Sequence, residues 1–110
     1  MQVTRIDKAK QYPARNHNDM CAFRLQGGEA SSTENFWVGY SIFLPDGGAD
    51  KGAAPTEKVY VVLEGEITII FGDEDVTLHA MDSILIEANE ERAVENRSND
   101  ICRMLVVSPN

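Results

Sequence analysis

Apolar and polar positions along this chain alternate in short runs of period two, and reversal residues separate the runs. Two runs lie together at the centre. Residues 57–63 (EKVYVVL) and 66–71 (EITIIF) are rich in Val, Ile and Tyr, the composition of a mostly buried pleated ribbon. Between them Glu64-Gly65 predicts a hairpin turn, with Gly65 supplying the backbone freedom that a reversal requires. A segment rich in Gly, Ala and Pro (residues 45–56) leads into this hairpin and reads as a loop. Before it, residues 36–44 (FWVGYSIFL) predict a long strand. Phe36, Val38, Tyr40, Ile42 and Leu44 share one face, which is uniformly apolar; Trp37, Gly39, Ser41 and Phe43 share the other, which is mixed. Gly39 in the middle, and the lack of a 3.6-residue stripe, argue against a helix.

The flanks extend the pattern. Residues 1–20 have no clean period: Val3 and Ile6 suggest a short edge strand, while Tyr12-Pro13 and Asn16-His17-Asn18-Asp19 read as loop and turn. Residues 20–25 (MCAFRL) predict a short strand, and 27–35 a polar loop. Downstream, turns at 72–75, 79–82, 87–90 and 97–100 separate short strands at 76–78, 83–86, 91–96 and 101–107. Turn signals at short, regular spacing with no convincing helix between them predict an all-β sandwich or barrel.

Composition narrows the function classes. The 110 residues suit one domain, 1–110, with 1–20 as an N-terminal arm or edge strand, and 43% apolar content supports a real core. A net charge of −8, with a pI near 4.6, argues against nucleic acid and anionic membrane surfaces as general partners. Cys21 and Cys102 lie beside apolar residues in predicted strands and read as buried free thiols, with a disulfide left open. The N-terminus has no signal-like apolar core and no run approaches the length of a membrane span, so a cytoplasmic protein is expected. There is no phosphate-cradling Gly loop, no Gly-x-Ser-x-Gly and no metal-ligand spacing around His17 or His79. His17, in a segment that could reach over a barrel mouth, is a candidate ligand-binding residue against the plainer reading of an exposed turn histidine. His79 reads as an exposed turn residue.

Two stretches resemble the cupin superfamily. Pro45-Asp46-Gly47-Gly48, followed by EKVYVVLEGEITI, resembles its first motif, in which a Pro-Gly turn leads to His-x-His, a Glu, six residues and a Gly. Residues 79–96 (HAMDSILIEANEERAVEN) resemble its second, with a Gly-Asp turn, a strand, a Pro-x-Gly turn, a His and an Asn four positions on; Asp82 and Asn96 match. The resemblance covers about half the chain and implies a cupin-type double-stranded β-helix, or jelly-roll barrel. It also implies that the four metal-ligand positions have been lost. Lys58 stands where the Glu belongs and Arg92 where the second His belongs, while residues 51–54 contain no His. Met81 replaces the first turn's Gly, and Glu87 and Asn89 replace the second turn's Pro and Gly. A cation site needs neutral imidazoles or carboxylates, so the expectation is a cupin with no metal and no cofactor.

In that frame the ligand positions face the barrel interior, and Lys58 and Arg92 share one cavity, with Tyr60 beside Lys58 and Asn96 beside Arg92. Two cations in an apolar cavity call for an anion, and a guanidinium fork suits a carboxylate or phosphate. The expected ligand is a small carboxylate or enolate. In a sharper version Lys58 and Arg92 are catalytic: a desolvated Lys beside Arg serves as general base or Schiff-base amine, and Arg92 stabilises an enolate. Isomerase, cyclase, lyase and decarboxylase chemistry all fit. Metal-free cupins related to sugar-nucleotide epimerases and aromatic polyketide cyclases are a precedent by analogy. The competing class is a non-catalytic binding or sensor module. A register slip of one residue would instead turn Glu57 inward and Lys58 outward, and the glutamates around Arg92 offer surface ion pairs. The apolar strand 36–44 needs an outer cover, which a homodimer of the kind this family forms would supply.

Overall fold

The computed structural model describes residues 1–110. Nine strands follow a single 3-10 turn at Ile6–Lys8: β1 Lys10–Gln11, β2 His17–Gln26, β3 Phe36–Gly52, β4 Lys58–Glu64, β5 Glu66–Phe71, β6 Glu74–His79, β7 Ser83–Ile86, β8 Arg92–Glu95 and β9 Cys102–Pro109. All pairings are antiparallel, in the order β6-β5-β8-β3-β9-β4-β7, with β2 on the free side of β3 and β1 on β2. The expected all-β jelly-roll barrel is therefore present, and no helix is long and apolar enough to cross a membrane.

The strand that closes the barrel is β3. Its first half pairs with β9 from Phe36↔Pro109 to Phe43↔Cys102; its second half pairs with β8 through Gly48↔Glu95, Ala49↔Val94 and Gly52↔Arg92. One strand thus belongs to both sheets. The corner lies at Leu44–Gly47, where Asp46 takes a φ of 67°, and a register shift in β2 around Asp19 (φ 48°) turns the neighbouring strand at the same place.

This geometry corrects the loop expected at 45–56: the chain is strand as far as Gly52. Its small residues permit close approach rather than slack. A Cβ at Gly48 would overlap the Val94 carbonyl oxygen across the pairing. The turn expected at 16–19 is likewise corrected, because His17 and Asn18 pair with Ala49 and Gly48 as the first residues of β2. No edge strand forms at Val3 and Ile6. Both are exposed, and two apolar residues three apart supply no alternation to hold a ribbon against a sheet.

The core combines Phe43, Tyr60, Val62, Ile67, Ile69, Leu78, Ile86, Val94, Cys102, Met104 and Val106. Its phase on β3 is the informative part. The mixed face, with Gly39, Ser41 and Phe43, is buried; the uniformly apolar face of Phe36, Val38, Tyr40, Ile42 and Leu44 is turned outward. Cys102 is fully buried in the interior, whereas Cys21 pairs with Ile42 on the outer side, so the two free thiols lie on opposite faces of the sheet.

Candidate functional site

Strand alternation brings the site together. On β4, Lys58, Tyr60 and Val62 point inward and Val59, Val61 and Leu63 outward; on β8, Arg92 and Val94 point inward. Because β4 and β8 lie on opposing sheets, Lys58 and Arg92 face one another across an open-mouthed cavity of about 290 Å³. Phe43, Val94, Met104 and Val106 make its apolar floor. Trp37 forms one wall, and Tyr12, Arg15 and His17 bring the N-terminal arm to its mouth. The register slip that would have turned Glu57 inward does not occur.

Neither interior cation meets a carboxylate. The Lys58 ammonium donates to Ser108 Oγ (3.0 Å) and lies 5.1 Å from the centre of the Trp37 ring. Arg92 donates to Tyr60 Oη (2.8 Å) and to the Gly52 carbonyl (3.3 Å). Burial first, then the positive charges of Arg92 and Arg24, hold the Lys58 amine below its usual range. Burial pushes the Tyr12 phenol up, against the pull of Arg24. The Arg24 guanidinium packs against two rings that stand at 75° to each other, 4.0 Å from the Tyr12 ring centre and 4.3 Å from that of Trp37.

These donors do not fit a divalent cation. No three His, Cys, Asp or Glu side chains converge anywhere in the chain, and the two side chains at the corresponding strand positions are positively charged.

Of the sequence candidates, Lys58, Arg92 and Tyr60 converge and His17 lies at the mouth, its Nδ1 2.6 Å from the Arg15 carbonyl oxygen. Asn96 does not join them. Its amide nitrogen donates to the carbonyls of Phe43, Leu44 and Asp100, and its Oδ1 accepts from Ser98, so the side chain pins the β3 corner to the β8–β9 turn. The strand phase that turns Arg92 and Val94 inward ends with β8 at Glu95, and Asn96 is spent on backbone just beyond it. His79 is exposed and ion-paired to Glu66 (3.1 Å). Sequence reasoning missed Tyr12, Arg24 and Ser108, and placed Trp37 on the mixed strand face without a role in the site. For Arg24 a signal was present: it shares a strand face with Met20 and Ala22, which line the cavity. For Tyr12 there was none, since its position depends on how the arm folds back.

The comparisons with known proteins agree with this fold. The profile of the cupin domain family matches residues 41–108. A Mycobacterium tuberculosis protein named β-D-galactosidase is 38% identical over 106 residues, spanning 96% of this chain and 91% of its own. Among solved structures, a polyketide cyclase from Streptomyces resistomycificus superposes with a TM-score of 0.88 at 19% identity, over 99% of this chain and 79% of that one. A predicted oxalate decarboxylase from Thermotoga maritima superposes with a TM-score of 0.81 at 19% identity, over 99% and 98%. At such identities these two structures speak to the fold alone.

Proposed function

This chain belongs to the cupin domain family, and on that footing we propose that its barrel binds a small organic anion, a carboxylate or enolate, through Lys58, Arg92 and Tyr60. The observation that carries the reading is that two cations without a carboxylate partner face one apolar-floored cavity. An unpaired charge in partial burial is costly, and an anionic ligand offsets that cost. Arg92 presents a planar fork and Lys58 a point charge, so a carboxylate bridging the two gains both direction and Coulomb energy.

The catalytic form of the reading assigns Lys58 as base. Its lowered pKa raises the share of neutral amine at a given pH, and a neutral amine removes a proton from carbon beside a carbonyl. Alternatively it adds to that carbonyl with loss of water to give a Schiff base. Arg92, with Tyr60 bonded to it, holds the developing enolate oxygen. Isomerisation, cyclisation, elimination and decarboxylation share that intermediate. A binding or sensor module uses the same contacts without turnover.

The name of the Mycobacterium tuberculosis relative suggests glycoside hydrolysis. Hydrolases of the two-carboxylate kind need a pair flanking the bond, and among the cavity's residues Asp50 is the one carboxylate. The donor set therefore favours an anion over a neutral sugar. The reading also includes a homodimer through the outward apolar face of β3, and it predicts no affinity for nucleic acid.

The test is thermal unfolding with pyruvate, benzoate and nitrophenyl β-galactoside. A ligand at about 100 times its Kd adds roughly 2.7 kcal/mol, a shift on the order of 10 °C for a domain of this size. Carboxylate-dependent stabilisation that disappears in Lys58→Met and Arg92→Met supports the reading. Hydrolysis of the galactoside with no response to carboxylates overturns it.

A further inference from the structure

Of the chain's ten Lys and Arg residues, Lys51, Arg97 and Arg103 pair with carboxylates, which leaves Arg5, Lys8, Lys10, Arg15, Arg24, Lys58 and Arg92 with none within 4.0 Å. In a protein with 18 acidic residues this is a marked segregation. The unpaired cations also lie together. Arg15, Lys58 and Arg92 line the barrel cavity; Arg5, Lys8, Lys10 and Arg24 line a second hollow, of about 450 Å³, between the N-terminal arm and the turn after β2. Tyr12 forms part of both walls, so the two hollows are neighbours on one tract. One carboxylate faces each, Asp50 in the barrel and Glu29 outside.

Arg24 is the hinge of this arrangement. Its guanidinium sits in the corner that the Tyr12 and Trp37 rings make at 75° to one another, and none of its N–H groups donates to another residue of the chain. A fork packed against two aromatic rings with its donors unspent is placed to receive an oxyanion. Four cations against one carboxylate exceed what a single carboxylate ligand balances, and they match a group that carries more than one negative charge on several oxygens.

The geometry points to a two-ended ligand, with its carboxylate or enolate end in the barrel and a phosphate-class group, a phosphate ester or diphosphate, in the outer hollow against Arg5, Lys8, Lys10 and Arg24. This inference rests on the barrel reading for its inner end and adds a second, separate anion site. It makes the arm part of the binding site, with the phosphate-class group deciding which small acids are selected.

Inorganic pyrophosphate is the probe, titrated into the full chain at constant ionic strength and followed by amide NMR. The expected shifts map to residues 4–12 and 24–30. The double variant Lys8→Gln/Lys10→Gln and the single variant Arg24→Gln each weaken pyrophosphate by about tenfold or more, while Lys58→Met leaves it within about twofold. Pyruvate shows the reverse pattern: lost in Lys58→Met and kept in the double variant. Pyrophosphate binding that vanishes with Lys58→Met and ignores the arm variants overturns the outer site and leaves the barrel reading intact. No saturable pyrophosphate binding also overturns it. Loss of pyruvate binding alone strikes the barrel reading and not the outer site.

Discussion

Lys58 is the residue at which burial and charge work against each other. Its amine loses hydration on the barrel wall and faces Arg92 and Arg24, so its charged form is disfavoured in the folded chain. The folded-state pKa lies below the unfolded value of 10.5, and between the two the unfolded chain holds more protons. Stability from this group is therefore full above 10.5 and is lost as pH falls through the lowered value. A bound anion reverses the sign by favouring the ammonium, so anion affinity declines as pH rises through the Lys58 titration. Lys58→Met is expected to abolish that decline and to leave unfolding free energy within about 1 kcal/mol of the parent, because a half-buried ammonium is replaced by an apolar chain of similar length. Ligand titration from neutral to alkaline pH, together with urea unfolding at neutral pH, checks both halves.

The turns show how an element keeps its shape after losing the residue that suits it. Met81 and Asn89 stand where the two turns of the second motif have Gly, and both adopt the left-handed conformation that a Gly would take there, at φ 72° and 65°. The turn around Met81 is held by hydrogen bonds that do not depend on its side chain: Met81 N–H to the Val62 carbonyl, Val62 N–H to the Asp82 carbonyl, and His79 N–H to the Asp82 carboxylate. Asn tolerates this conformation and Met does not, so the strain is concentrated at Met81, whose side chain is exposed and packs against little. Met81→Gly is expected to stabilise the fold by about 0.5–1 kcal/mol, the relieved strain outweighing the added freedom of the unfolded chain. A higher urea midpoint with an unchanged slope is the confirming result.

At the scale of the molecule, the outward face of β3, β9 and β4 is an apolar surface without a cover in the single chain. Val38, Tyr40 and Ile42 of β3 adjoin Val107, Leu105 and Arg103 of β9, and Val59 and Val61 of β4 continue the sheet towards Leu85 of β7. The one charge among these positions, Arg103, is already met by Glu64 (2.9 Å) and donates to Tyr40 Oη (2.7 Å). An apolar sheet face of this kind suits packing against a second copy of itself, the arrangement a two-fold interface uses. The proposed homodimer predicts a sedimentation-equilibrium mass of roughly twice 12.2 kDa. Leu105→Glu, at the centre of the face, is expected to give a monomer with unchanged far-UV circular dichroism; a parent chain that is already monomeric at micromolar concentration counts against the proposal.

Local pattern by itself determined the central strands, the Glu64-Gly65 hairpin and the sharing of one face by Lys58, Tyr60 and Val62, because alternation and turn chemistry are properties of neighbours in the chain. Only the tertiary structure decided the phase of β3, since a barrel can bury the mixed face and leave the apolar one to a partner. The same holds for residues 45–52: Gly and Ala signify a loop until Val94 is seen pressed against Gly48. Asn96 was legible as a motif residue, yet its role follows from three carbonyls that distant segments bring to it. Tyr12, Arg24 and Trp37 come from three separate segments, and they meet because the arm folds back over the barrel mouth, a long-range contact that no local period encodes.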